Sequence, residues 1–179
     1  MENKEQNNTI NYEFLHIPVG RLIWASILSV GWYRVYWFYT NWKEIQKVTG
    51  KQMSPFWRSI FSVFWSREPF QLVLNQANEL KYMHTYNVNF LVLFYFLTTI
   101  FFNLVGRANF QFSEPAWYFV LAMFLLLGEV ITLIPLIKVQ GVVNWIADKK
   151  ERKYKKIGMA EIGLIIMGLT IAYLFSSAV

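Results

Sequence analysis

"VNFLVLFYFLTTIFFNLV", residues 88–105, contains no charged residue over eighteen positions. A helix needs about 20 largely apolar residues to cross the roughly 30 Å hydrocarbon layer of a bilayer, so this run is a spanning helix by length and content. Two further runs of the same kind follow it. One covers residues 116–137, and the other covers residues 158–178 with Glu161 near its start. A fourth, residues 17–39, is interrupted by Arg21 and Arg34. It is read either as a further span or as a re-entrant or interfacial hairpin hinged near Gly31.

Composition agrees with the runs. Over 179 residues, apolar types make up 55 % and aromatics 19 %, while charged residues fall to 16 %. Soluble domains carry about 25 % charged residues, and a single small domain has too little interior to hide so many large apolar side chains. The expected class is therefore all-α: one polytopic membrane domain of three or four transmembrane helices. An amphipathic cytoplasmic helix pair is expected between the first and second. The chain has no cysteine, which removes disulfides, thiolate chemistry and Cys-ligated metal. Residues 1–16 read as a polar N-terminal tail. With Lys4 as the one basic residue in its first fourteen, the tail does not read as a signal peptide.

A net charge of +6 could point to nucleic acid, but the basic residues cluster between the apolar runs. Residues 40–87 hold six Lys and Arg, residues 138–156 hold seven, and the short connection 107–115 holds only Arg107. Basic loops stay on the cytoplasmic side. Loops 40–87 and 138–156 are thus expected inside, and loop 107–115 and the C-terminus outside, which for a bacterial inner membrane is the periplasm. The N-terminus lies outside if residues 17–39 span and inside if they form a hairpin. Anionic lipid attracts juxtamembrane basic residues by about 1 kcal/mol each, so the expected partner is the phospholipid bilayer with its anionic lipid. A membrane-protein partner or a second copy of the chain could join it, and nucleic acid is not expected.

Within the first loop, Ser54 and Pro55 form a helix start signal, Ser54 as N-cap and Pro55 at the first helical position. The helix is expected to stop before Pro69, where a second begins, giving interfacial helices over residues 54–86. In the first, Arg58, Ser59, Ser62 and Ser66 share one face, and Trp57, Ile60, Phe61 and Phe64 the other. A ring-rich face of this kind fits a helix lying among the headgroups.

The segment "YRVYWFYTNWKEIQ", residues 33–46, precedes that loop and closes the first apolar run. Tyr and Trp concentrate at membrane–water boundaries, so its rings read as an inner-leaflet collar rather than a soluble core. The expected interfacial anchors are Trp37, Tyr39 and Trp42, then Trp57, Arg58, Phe61 and Trp65. In the last run Gly168, Ala172 and Ser176 recur every four residues, a small-residue stripe that suits close helix packing.

This part of the chain resembles a group of small bacterial inner-membrane proteins of unknown function. The likeness rests on Gly31, Tyr33, Tyr36, Trp37, Tyr39 and Trp42, followed by Pro55, Phe56, Arg58 and Phe61. Those proteins pair a G-x-Y-x-x-Y-W-x-Y-x-x-W segment with a P-F-x-R-x-x-F element. The resemblance covers about residues 20–65 and implies a bacterial inner-membrane location, with no activity attached.

Ionisable residues inside a membrane are functional candidates, because each costs about 2.5–3.5 kcal/mol to insert. Glu129, Arg34 and Glu161 are such residues, all expected in the cytoplasmic half, and Asn103 adds a polar side chain. An ion pair between Glu129 and Arg34 would fasten the bundle. Alternatively Glu129 is protonated, Arg34 snorkels to the headgroups, or the group serves transport or a proton relay. His16 and His84 stand far apart with no carboxylate at ligand spacing, so no metal site is expected. The sequence contains no nucleophile elbow, Walker loop or dinucleotide fingerprint, and neither catalytic nor cofactor-binding residues are expected. The leading expectation is a non-enzymatic accessory, scaffold or envelope-maintenance protein of the inner membrane. The alternative is a small transporter or lipid-handling protein built on Glu129 and Arg34.

Overall fold

The computed structural model describes residues 11–108, 110–111 and 114–177. Among them every regular element is a helix: α1 Val19–Leu28, α2 Trp32–Thr49, α3 Pro55–Ile60, α4 Ser62–Trp65, α5 Arg67–Glu79, α6 Val88–Arg107, α7 Pro115–Lys149 and α8 Met159–Ser177. Two of them, α6 and α7, are long and apolar enough to cross a membrane. The most apolar stretch of α6 is only 17 % buried within the protein and that of α7 only 28 %. A core helix of a soluble domain would be mostly covered. Phe90, Leu93, Leu97, Phe101 and Leu104 instead form an exposed stripe along α6.

The first apolar run is not one helix. It ends at Leu28 and restarts at Trp32, and ten residues of α1 rise only about 15 Å. The turn is a Schellman closure: the Gly31 amide donates to the Ser26 carbonyl at 2.8 Å and the Val30 amide to that of Ile27 at 3.1 Å. Val30 and Gly31 both take positive φ, 50° and 84°. Ser29 Oγ then accepts from the Tyr33 amide at 2.8 Å and opens α2. The two limbs are antiparallel. Arg21, low on α1, meets Glu161 at the start of α8, and the tip at Leu28 and Ser29 meets Gly168 further along. On the return limb, Arg34 faces Glu129 and Trp37 reaches Gln140 further down α7. Residues 17–39 thus form a helical hairpin hinged at residues 29–31.

Helix α7 carries the fold. At 1.5 Å per residue its 35 residues extend about 52 Å, well beyond one hydrocarbon layer. Its first half is exposed through Trp117, Phe119, Val120, Met123, Phe124 and Leu127, whereas Leu133, Leu136, Val139, Gln140, Val143 and Ile146 are buried. The buried positions recur every three or four residues and pack on α1 and α5. Residues 138–149, expected as part of a basic loop, are therefore helix, and the loop begins only at Lys150. Basic side chains did not end the helix because they occupy its outer face: Lys138 and Lys149 are exposed.

Around that buried half lies an aromatic core. Trp37, Phe38 and Trp42 are fully buried with Phe70 of α5, and the Phe38 ring stacks on Phe70 at 6.1 Å. Trp37 and Trp42 are therefore not interfacial anchors, and the collar expected at residues 33–46 is in large part core. Trp37 Nε1 donates to Gln140 at 2.6 Å, which satisfies the indole inside. The expected polar tail also contributes, since Tyr12, Phe14, Leu15 and His16 are buried, and Ile17 follows them into the core. Gln140 Nε2 holds this strip by donating to the Leu15 and Ile17 carbonyls at 2.9 and 3.2 Å.

The loop helices break at Phe61 and Ser66 rather than before Pro69. Pro69 falls in the first turn of α5, where its missing N–H would have had no helical partner anyway. Ser54 precedes Pro55 at the start of α3 but makes no side-chain cap bond. α5 is a core helix, burying Phe70, Val73, Leu74 and Ala77.

Candidate functional site

α3 and α4 are packed with the polar side inward. Ser59, Ser62 and Ser66 are buried, and Ser62 Oγ meets Tyr95 Oη of α6 at 3.0 Å. Small hydroxyls let these short helices lie close on α2 and α6. The ring face is left outside: Trp57 is 58 % exposed and Phe64 66 %, with Phe61 and Trp65 beside them. Arg58 sits between the Trp42 and Trp65 rings, 4.5 and 4.6 Å from their centroids, and bonds Glu68 at 2.9 Å. Of the expected anchors, Tyr39, Trp57, Phe61 and Trp65 thus present rings at the surface, and Arg58 is held between two rings.

The intramembrane candidates divide into two pairs at opposite ends of α1. At the lower end Arg21 grips Glu161 and also donates to the Lys155 and Lys156 carbonyls. Both side chains are buried, and a carboxylate in the first turn of α8 suits the helix dipole. At the tip Arg34 Nη2 lies 2.9 Å from Glu129 Oε2, the two side chains 15 % and 14 % exposed. This pair is not level with Glu161. Gly128 packs under the Phe102 ring, fourteen residues along α6 from Val88, or about 21 Å of rise. The pair therefore lies toward the far end of α6, because the hairpin carries Arg34 up with its tip.

Gly31 makes the pairing possible. A Cβ there would sit 2.9 Å from Arg34 Nη2 and 3.1 Å from Glu129 Oε2, in a backbone conformation that side chains disfavour. Behind the pair lies a polar cleft between α2, α4, α6 and α7. One chamber of about 360 Å³ is lined by Arg34, Ser62, Tyr95, Thr99, Asn103 and Arg107. A second, of about 290 Å³, shares Arg34, Thr99, Asn103 and Arg107 and adds Glu129 and Thr132. Asn103 thus joins Arg34 and Glu129, its amide donating to the Thr99 carbonyl at 2.8 Å. Arg34 Nε and Nη1, Glu129 Oε1 and Thr99 Oγ1 have no hydrogen-bond partner.

The last run packs differently from its expected stripe. Gly168 is buried against Leu28 and Ser29, but Ala172 is exposed, and the side chain of Ser176 lies outside the described residues. The inward face is Glu161, Leu164, Ile165, Gly168 and Ile171, which follows the helical period of 3.6 rather than a strict four.

Sequence reasoning missed Arg21 as the partner of Glu161, Gln140 as the core hub, and Arg107 and Thr99 as cleft residues. The first had a readable signal: opposite charges near the same basic loop, each at the start of an apolar run.

No family model matches the chain, and no curated protein or solved structure matches it.

Proposed function

We propose that this chain is a non-enzymatic membrane protein, an accessory or scaffold protein of the bacterial inner membrane. α6, the exposed half of α7 and α8 cross the bilayer, and the α1–α2 hairpin enters and returns. The observation that carries this reading is the change of environment along α7. Its first half offers apolar side chains on all sides, and its second half is the centre of a packed aromatic core. One helix in two such solvents fits a rod that leaves the bilayer and enters a cytoplasmic base.

The outward rings of α3 and α4 stand beside Thr99, Asn103 and Leu104 of α6, so they face lipid at membrane depth, and the basic residues of 149–156 lie at the base of α8 on the cytoplasmic side. The hairpin tip is irregular backbone, tolerated at membrane depth where protein covers it and its amides are bonded. The end of α2, α5 with residues 80–87, loop 150–158 and the N-terminal strip then face the cytoplasm, and loop 107–115 the periplasm. The base formed by α5 and the end of α7 is the surface presented to a protein partner.

The chain has no cysteine, so single cysteines report topology cleanly. Met83→Cys and Tyr154→Cys should react with an impermeant thiol reagent only after the inner membrane is opened, and Ala108→Cys in intact spheroplasts. Release of the protein by alkaline carbonate would overturn the membrane reading. The cleft beside Glu129 favours a second reading, lipid handling. Purification from native membrane separates the two: a stoichiometric protein partner supports the scaffold, and lipid alone supports the second.

A further inference from the structure

The polar cleft does not end at its two chambers. Thr99, Asn103 and Arg107 also line a neighbouring groove of about 310 Å³, whose other walls are Ile60, Phe61, Val63, Phe64, Ile100 and Leu104. A charged compartment thus runs into an apolar gutter along the outside of α6. Ile60, Phe64 and Leu104 at the rim of the gutter are exposed large apolar side chains. A small soluble anion would use the first compartment and leave the second empty.

The polar compartment has donors left over. Arg34 lines both chambers and spends Nη2 on Glu129; its Nε and Nη1 are buried without a partner, so they meet a ligand only when the guanidinium turns toward the chamber. Thr99 Oγ1 is without a partner as well. Arg107 makes no ion pair with a described residue. An arginine ending a spanning helix ordinarily snorkels to the interface, but this one borders the same chamber as a second arginine. Two guanidinium groups against one carboxylate leave a single positive charge, the complement of one anionic group. Guanidinium is the side chain best matched to phosphate oxygens.

We propose that this cleft binds one anionic phospholipid. Its phosphate lies between Arg107 and Arg34, whose guanidinium turns toward the chamber to meet it, and an acyl chain lies in the Ile60–Phe64–Leu104 gutter. The proposal rests on the membrane reading above, and it places the lipid in the leaflet opposite the basic loops. It deepens the second reading by naming the ligand class and its contacts.

The test uses the full chain purified in mild detergent, with lipid binding read by native mass spectrometry. Phosphatidylglycerol, phosphatidylcholine and glycerol 3-phosphate are the probes. The expected result is one phosphatidylglycerol per chain, held about tenfold or more tighter than phosphatidylcholine and not displaced by equimolar glycerol 3-phosphate. Arg107→Gln should weaken it roughly tenfold or more, the usual scale for a charge-assisted hydrogen bond, with Arg107→Lys recovering part. Ile60→Trp, which fills the gutter and leaves the arginines in place, should weaken it as well.

Equal retention of the two lipids, or no effect of Arg107→Gln, would overturn the proposal. Glycerol 3-phosphate binding as well as the lipid, with Ile60→Trp silent, would mean a free-anion site and overturn the lipid assignment. A chain that resists carbonate but retains no lipid sinks this inference alone. A chain that carbonate releases removes the membrane reading and the inference with it.

Discussion

Gly168 of α8 lies directly against the carbonyl oxygen of Leu28, so a side chain at this position would strike backbone rather than a movable side chain. An added Cβ would also come 2.5 Å from Ser29 Cα. Gly168→Ala should cost about 1–3 kcal/mol of stability, the usual range for overpacking a close contact. Ala172→Leu, at an exposed position, should cost little. Thermal unfolding in detergent, followed by helicity, compares them, and equal stability of Gly168→Ala and the natural chain would refute the contact.

Val30 holds a left-handed conformation that a β-branched residue adopts at a cost of about 1–2 kcal/mol. Val30→Gly should therefore stabilise the hairpin by about 1 kcal/mol after the added chain entropy of glycine is set against the relief. Gly31→Ala should do the opposite and also disturb Arg34 and Glu129. The pair of midpoint shifts, one up and one down, is the signature to look for.

The Arg34–Glu129 pair is expected to be worth little as a pair and much as a completed unit. Removing one partner strands a charge and should cost about 3–5 kcal/mol. Arg34→Met together with Glu129→Leu should return most of that. A double variant no better than the worse single variant would argue against direct pairing. Since both residues line the cleft, the same double variant should also lose tight phosphatidylglycerol retention.

His16 supplies a pH dependence. Its ring is buried, packed at a tilt against Tyr154 at 4.1 Å between centroids, and burial holds its pKa below the ordinary 6.5 despite Asp148 nearby. Arg152 also faces it and lowers it further. The unfolded chain therefore takes up a proton before the folded one does. This contribution to stability is complete above about pH 6.5 and is lost as pH falls below that value. Unfolding midpoints at pH 7.5 and 5.5 should differ, and His16→Gln should reduce the difference. A difference unchanged by His16→Gln would assign the slope to other groups.

The apolar run of α6 was legible in the sequence because no charged residue interrupts positions 88 to 105. Trp37 and Trp42 were not. A tryptophan at the end of an apolar run looks the same whether it meets headgroups or a core, and here the answer lay with Gln140, a hundred residues away. Gln140 was itself hidden in a stretch whose lysines resembled a loop, although the buried positions from Leu133 to Ala147 keep a helical period. α3 was read correctly as two-faced, but periodicity does not say which face turns inward; the small serines, which allow close approach, decided it. The hinge at Gly31 was among the sequence alternatives. Arg34 facing Glu129 was within reach by counting residues, but their height beside Phe102 was not, since it depends on the hairpin carrying Arg34 upward.

The unbroken course of α7 makes it a lever. Pro135, which cannot donate to the Ile131 carbonyl, is the natural fulcrum, with Glu129 on one arm and Gln140 on the other. Any roll of the upper arm that re-aims Glu129 must be absorbed at Pro135 or transmitted through Gln140 to Trp37 and the Leu15–Ile17 strip. The cleft and the base are in this way joined by one continuous helix.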